Sequence, residues 1–200
     1  MAQQWNVGIL LFNDVEVLDF AGPFEVLSIT TFLGKQDKPF SMYVISETGK
    51  MVRARNGLMV NPTFAFADVP ALDILIIPGG YGAEEIEIHN EKLIDWIREQ
   101  SAHVELIASV CTGAFLLAKA GLLDGKKATT HWMDIKRLET EYPKIDIQRG
   151  LKYVDEGSII TAAGISAGID MSFHIIKKLL GSEIARATAK RMEYDIVIDN

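Results

Sequence analysis

Residues 7–12 (VGILLF) are an unbroken apolar run stopped by Asn13 and Asp14. A run with no polar alternation predicts a strand buried on both faces, as in a parallel sheet covered by helices. Residues 73–77 (DILII) and 104–110 (VELIASV) repeat the pattern. The first ends at Pro78-Gly79-Gly80 and the second runs straight into Cys111-Thr112-Gly113. Residues 40–46 (FSMYVIS) predict a further strand. Helical spacing takes over between these runs. Residues 19 to about 33 place Phe20, Phe24, Leu27 and Phe32 at apolar positions, with Pro23 in the first turn, where a missing N–H costs little. Residues 90–99 (NEKLIDWIRE) are amphipathic, with Asn90 as N-cap. Further helices are predicted over residues 114–120, closed by Gly121, and over 133 to about 141, 166–180 and 182–193. Residues 48–60 and 151–162 read as hairpins, the second turning at Glu156-Gly157.

Strands alternating with helices predict an α/β fold with a mostly parallel sheet sandwiched by helices and small β-hairpin additions. No linker, repeat or break in composition divides the chain, so residues 1–200 are expected to form one domain. A hydrophobic share of 48% and a charged share of 24% exclude disorder, collagen and coiled coil as readings of the whole chain. The net charge of −7 argues against nucleic acid, whose phosphates need clustered Lys and Arg, and against anionic membrane surfaces. A single Cys excludes an intrachain disulfide and suggests a reducing compartment. Residues 1–6 carry no basic residue, and no apolar stretch reaches the roughly 18 residues of a spanning helix. A cytoplasmic chain is expected.

Open parallel sheets bind ligands outside the carboxyl ends of their strands. Three sharp strand ends qualify: residues 13–23, Pro78-Gly79-Gly80 and Cys111-Thr112-Gly113. Cys111 would sit on a tight strand-to-helix turn, where N–H groups at the helix start favour a thiolate nucleophile. An inert core thiol satisfies the same position. Asp19 in apolar company suits a carboxyl of raised pKa that carries protons, and equally a helix N-cap. Gly79 and Gly80 offer backbone N–H groups for an oxyanion, or make a plain turn. Gly80-Tyr81-Gly82 fails as a dinucleotide fingerprint, because Glu85 stands in place of the third Gly. His131, followed by Trp132, could orient a thiol or bond within the core. With one Cys and no paired His, no metal site is expected.

Five segments in order resemble the ThiJ/PfpI superfamily, with its flavodoxin-like, class I glutamine amidotransferase-like fold. They are Leu18-Asp19-Phe20-Ala21-Gly22-Pro23, Ile77-Pro78-Gly79-Gly80, Ser109-Val110-Cys111-Thr112-Gly113, Ala128-Thr129-Thr130-His131-Trp132 and Gly164-Ile165-Ser166-Ala167-Gly168-Ile169-Asp170. The pattern is most similar to the isonitrile hydratase branch. That resemblance implies Cys111 as nucleophile, Asp19 as its carboxylate partner and Thr112 as a helper beside the thiol. It also implies a small electrophilic substrate, a homodimer, no metal and no organic cofactor. Isonitrile and water would give an N-substituted formamide through a thioimidate on Cys111, with N–H groups of Gly80 and Thr112 holding the developing charge. The alternatives within the superfamily are a glyoxalase or deglycase, for which His131 matches but Asp19 replaces Glu, and a cysteine redox sensor. Thr112 in place of His argues against a peptidase, and Ile176 two residues after His174 against a glutaminase. Similar domains are fused to DNA-binding modules in AraC-type regulators, but no basic recognition helix follows the matched segments here.

Overall fold

A computed structural model describes residues 3–199. The first half of the chain runs β1 (Trp5–Leu10), α1 (Val17–Ile29), β2 (Phe40–Ser46), β3 (Val52–Arg53), β4 (Met59–Val60), β5 (Phe64–Ala65), β6 (Ile74–Ile77) and α2 (Glu91–Ser101). The second half runs β7 (Leu106–Val110), α3 (Gly113–Lys119), β8 (Lys127–Ala128), α4 (Ile135–Glu141), β9 (Asp146–Ile147), β10 (Tyr153–Asp155), β11 (Ile159–Ala162), α5 (Ala167–Leu180) and α6 (Ser182–Arg191). Residues 1, 2 and 200, on which the expected domain limits and the uncharged start partly rest, lie outside the described residues.

Seven strands form one sheet in the order β10-β11-β7-β6-β1-β2-β5. Every neighbouring pair is parallel except β10 with β11. The unalternating apolar runs occupy its middle: Val7 lies opposite Met42 on one side and Ile74 on the other. Val7, Ile9, Ile74, Leu75, Ile76 and Ile77 expose no surface, as a strand covered on both faces requires. α1 packs on α5 and α5 on α6, while α2 packs on α3. The β1-to-β2 and β6-to-β7 connections travel in opposite directions across the sheet. Right-handed crossovers therefore put α1 and α2 on opposite faces. The strand order reverses between β1 and β6, and the crevice outside the carboxyl ends there is the expected ligand site.

The expected α/β sandwich is the observed one. Both hairpins form, as β3–β4 and β10–β11, with Gly157 at φ 88° in the second turn. Asn90 caps α2 by accepting from the Leu93 N–H at 3.3 Å, and Gly121 ends α3 at φ 78°. Three details differ. α1 starts at Val17 and ends at Ile29, so Pro23 sits in its second turn and removes a bond to the Asp19 carbonyl rather than an unpaired N–H. The N-cap position belongs to Glu16, so Asp19 is not the cap. α4 starts at Ile135, because residues 131–134 form a turn closed by the Asp134 N–H on the His131 carbonyl at 2.9 Å. The two-residue strands β5, β8 and β9 and the π-helical turn Gly82–Ile86 have no counterpart in the sequence pattern, being too short to show a period. Among the described residues, no helix is long and apolar enough to cross a membrane.

Candidate active site

The chain leaves β7 at Val110 and enters α3 at Gly113, which leaves two residues for the bend. Cys111 takes it by adopting φ 57°, a left-handed conformation that costs a non-glycine residue roughly 1–2 kcal/mol. Its N–H is held by the carbonyls of Ala162 at 3.2 Å and Ala163 at 3.0 Å, and its carbonyl accepts from Thr130 Oγ1 at 2.8 Å. The surrounding backbone thus over-determines the strained residue. The ends of β6 and β7 press together without intervening side chains. A Cβ on Gly79 would lie 2.5 Å from the Thr112 nitrogen, and one on Gly113 would lie 2.2 Å from the Ile77 carbonyl oxygen.

Asp19 reaches this elbow from α1 and exposes no surface. Its Oδ2 accepts from the Gly79 N–H at 3.0 Å. Among the described residues Oδ1 has no hydrogen-bond partner. Burial pushes the carboxyl up from 3.8 to about 7; the Gly79 bond pulls down, Glu16 pushes up, and the Cys111 thiol and Arg55 pull down. Burial also pushes the Cys111 thiol well above its ordinary range, and the Asp19 charge adds to that. The nearby backbone N–H groups of Thr112 and Ile165 counter this in part. The thiolate expected from the helix start is therefore outweighed by burial. The site thus holds a thiol beside a carboxyl that burial has raised toward neutral pH.

The two glycine N–H groups expected to form an oxyanion hole are already occupied. Gly79 donates to Asp19, and Gly80 donates to Thr112 Oγ1 at 2.9 Å. Thr112 Oγ1 in turn faces the Gly80 carbonyl at 3.3 Å. Its hydroxyl locks the β6 and β7 ends together rather than assisting the sulfur; only its N–H serves the thiol. Ile165, itself left-handed at φ 46°, supplies a second N–H that sequence reading missed.

Cys111 opens into a cleft of about 220 Å³ that His131 also lines. His131 Nδ1 lies 3.4 Å from Asp134 Oδ2, and Gly164 leaves room for its ring. Trp132 is 75% exposed and does not line this cleft. It borders a separate apolar cavity with Thr130, Ile135 and Leu151, so of the pair His131-Trp132, both candidates for an accessory role at the thiol, only His131 reaches the cleft. Glu16, Arg55, Glu84, Met133 and Asp134 complete the cleft wall and were not singled out from the sequence. Arg55 comes from the β3–β4 hairpin, which folds over the end of β1 through its N–H on the Val15 carbonyl at 2.9 Å, and it pairs with Glu16 at 2.9 Å. Glu16 was findable, since it lies in the strand-end loop over residues 13–23. Arg55 and Glu84 carry no local signal.

Comparison with known proteins gives the family. The DJ-1/PfpI family model matches residues 6–178. Isonitrile hydratase of Pseudomonas putida is 35% identical over 191 residues, which is 94% of this chain and 78% of that protein. The HTH-type transcriptional regulator GbdR of Pseudomonas aeruginosa is 26% identical over 190 residues, and the chain spans about half of that regulator's length, 51%. The crystal structure of a ThiJ/PfpI family protein from Pseudomonas syringae superposes with a TM-score of 0.82 at 25% identity, covering 98% of this chain and 78% of that one. A family match that runs from β1 into α5, together with a curated relative more than a third identical over nearly the whole chain, places this chain in the DJ-1/PfpI family.

Proposed function

We propose that this chain is a cysteine-dependent hydratase that joins an isonitrile to water and releases an N-substituted formamide. The observation that carries the reading is the buried pair of Cys111 thiol and Asp19 carboxyl, the latter near 7. An isonitrile carbon needs both a nucleophile and a proton at the same atom. As sulfur bonds to that carbon, the thiol proton passes to the Asp19 carboxylate. Asp19 then delivers it to the carbon, leaving a neutral thioimidate on Cys111. A carboxyl near 7 suits both transfers, because neither direction is steeply uphill at neutral pH. The N–H groups of Thr112 and Ile165 hold negative charge on sulfur while it exists. Likeness to the Pseudomonas putida hydratase supports the same substrate class.

The other readings of this thiol draw less support. A redox-sensing cysteine is exposed and of low pKa, whereas Cys111 is buried and its thiol is pushed up. A glyoxalase or deglycase would call on His131, whose Nε2 edge packs against Gly164, and on a Glu where this chain has Asp19.

Infrared monitoring of a simple alkyl isonitrile tests the proposal. The isonitrile band is expected to disappear with the wild type. With Cys111→Ala it should persist at the rate of the buffer, a loss of at least about 10³-fold. A band that persists with the wild type overturns the reading for this substrate class.

We further propose a homodimer. Leu18 and Phe24 on α1 and Ile165 just before α5 are each 37% exposed, and these helices pack together. Apolar side chains left open on one packed pair favour burial against a second copy. Sedimentation equilibrium is expected to return twice the chain mass; the mass of one chain at micromolar concentration contradicts the dimer.

A further inference from the structure

The two halves of the proposed hydration ask for bases in different surroundings, and this inference rests on that reading. Thioimidate formation needs a proton carrier at the sulfur, sealed from solvent. Asp19 fits: it has no exposed surface, one oxygen is tied to Gly79, and it interacts with the thiol. The second half needs a base that water can reach. Asp19 is badly placed for that, and His131 keeps Nδ1 on Asp134 while its Nε2 edge packs against Gly164.

Glu84 has the complementary placement. It lines the Cys111 cleft with its side chain 21% exposed, so it meets both the cleft and solvent. It rides on the π-helical turn Gly82–Ile86, which starts one residue beyond Gly79-Gly80. Single π turns recur at functional sites, because their wide hydrogen bonding re-aims one side chain. The turn is held at its start and at its middle. Gly82 N–H donates to the Asp14 carbonyl at 3.1 Å, and Arg137 Nη2 donates to the Glu84 carbonyl at 3.1 Å. Arg137 Nη1 also reaches Glu84 Oε2 at 3.4 Å, but the same guanidinium bonds Glu85 and Glu141 at 2.9 Å each, so it does not neutralise Glu84 alone. Among the described residues no hydrogen bond holds Oε1. Partial burial and the neighbouring Asp134 raise this carboxyl, against Arg137 and Arg55, which makes it a better base than an exposed glutamate.

We propose that Glu84 activates the water that resolves the thioimidate on Cys111. The water oxygen bonds to the thioimidate carbon as Glu84 takes one of its protons. The C=N electron pair moves to nitrogen, which receives that proton from Glu84. The C–S bond then breaks with its electrons going to sulfur, while the hydroxyl proton returns to sulfur through Asp19. The formamide leaves and Cys111 is a thiol again.

Intact-mass spectrometry during turnover of an alkyl isonitrile tests this. Glu84→Gln is expected to form the adduct on Cys111, heavier by one isonitrile, at close to the wild-type rate. Formamide release should fall about 10²-fold, so the adduct accumulates. Glu84→Asp, which keeps a carboxylate, is expected to restore part of the release. A purely structural role would slow adduct formation and release alike in both variants, and that result overturns the assignment. So does Glu84→Gln turning over at the wild-type rate with no adduct. A wild type that neither turns over nor forms the adduct is a different result, and it removes the hydratase reading itself.

Discussion

Asp19→Asn is expected to cut isonitrile turnover by about 10²–10⁴-fold and, at alkaline pH, to make the protein more stable. Both effects have one cause. The native carboxyl titrates at about 7, against 3.8 for an ordinary aspartate, because burial disfavours its charge. The folded chain therefore keeps a proton that the unfolded chain has released. The favourable contribution is fully present below about pH 3.8 and is lost as pH rises through 7. Across that window the loss is on the order of 4 kcal/mol at most, at 1.36 kcal/mol per pKa unit. Asn has no charge at any pH, and its Oδ1 still accepts from Gly79. Calorimetry should show the variant melting roughly 5–15 °C above the wild type at pH 8, with the gap closing toward pH 4. The same melting difference at both pH values would mean that Asp19 titrates normally, and the proton-carrier role would lose its basis. The wild type thus carries a destabilised group at its reactive centre, a common exchange of stability for activity.

How far the sequence could reach depends on how local each cause is. The middle strands were legible because residues 7–12, 73–77 and 104–110 have apolar runs that no half-exposed strand would carry. Asn90, Gly121 and Gly157 announced an N-cap, a helix stop and a turn through their own backbone chemistry. Cys111 was legible as a candidate because a buried strand runs straight into it. Asp19 was ambiguous because Val17 and Leu18 fit a helix as well as a loop; extending α1 by two residues turned a supposed cap into a buried carboxyl. Gly79 and Gly80 show the limit of local reasoning. Sequence identifies two free donors, but not that Asp19, sixty residues away, and Thr112, thirty-two away, take them. Arg55 and Glu84 were beyond reach for the same reason. One is placed by a hairpin of two-residue strands, the other by a π turn, and both owe their aim to tertiary contacts.

Gly113→Ala is expected to be a strongly damaging single-methyl change at the elbow, costing about 3 kcal/mol or more in urea unfolding. The added carbon would sit 2.2 Å from the Ile77 carbonyl oxygen and 2.9 Å from that of Pro78. Both obstacles are backbone at the end of a central strand, so neither rotates away as a side chain would. Relief requires the β7–α3 elbow to move off β6, which also breaks the contact between Gly80 and Thr112. Cys111 would then lose its alignment with Asp19, and turnover should fall along with stability. Gly121→Ala is the control. Gly121 is left-handed at φ 78°, but nothing lies within 4 Å of its missing Cβ. Its substitution should therefore cost only the conformational penalty, roughly 1–2 kcal/mol, and leave turnover unchanged. If the two variants were equally stable, the close approach of the strand ends would not be what fixes the elbow. The left-handed Cys111 would then have to be held by its bonds to Ala162, Ala163 and Thr130 alone.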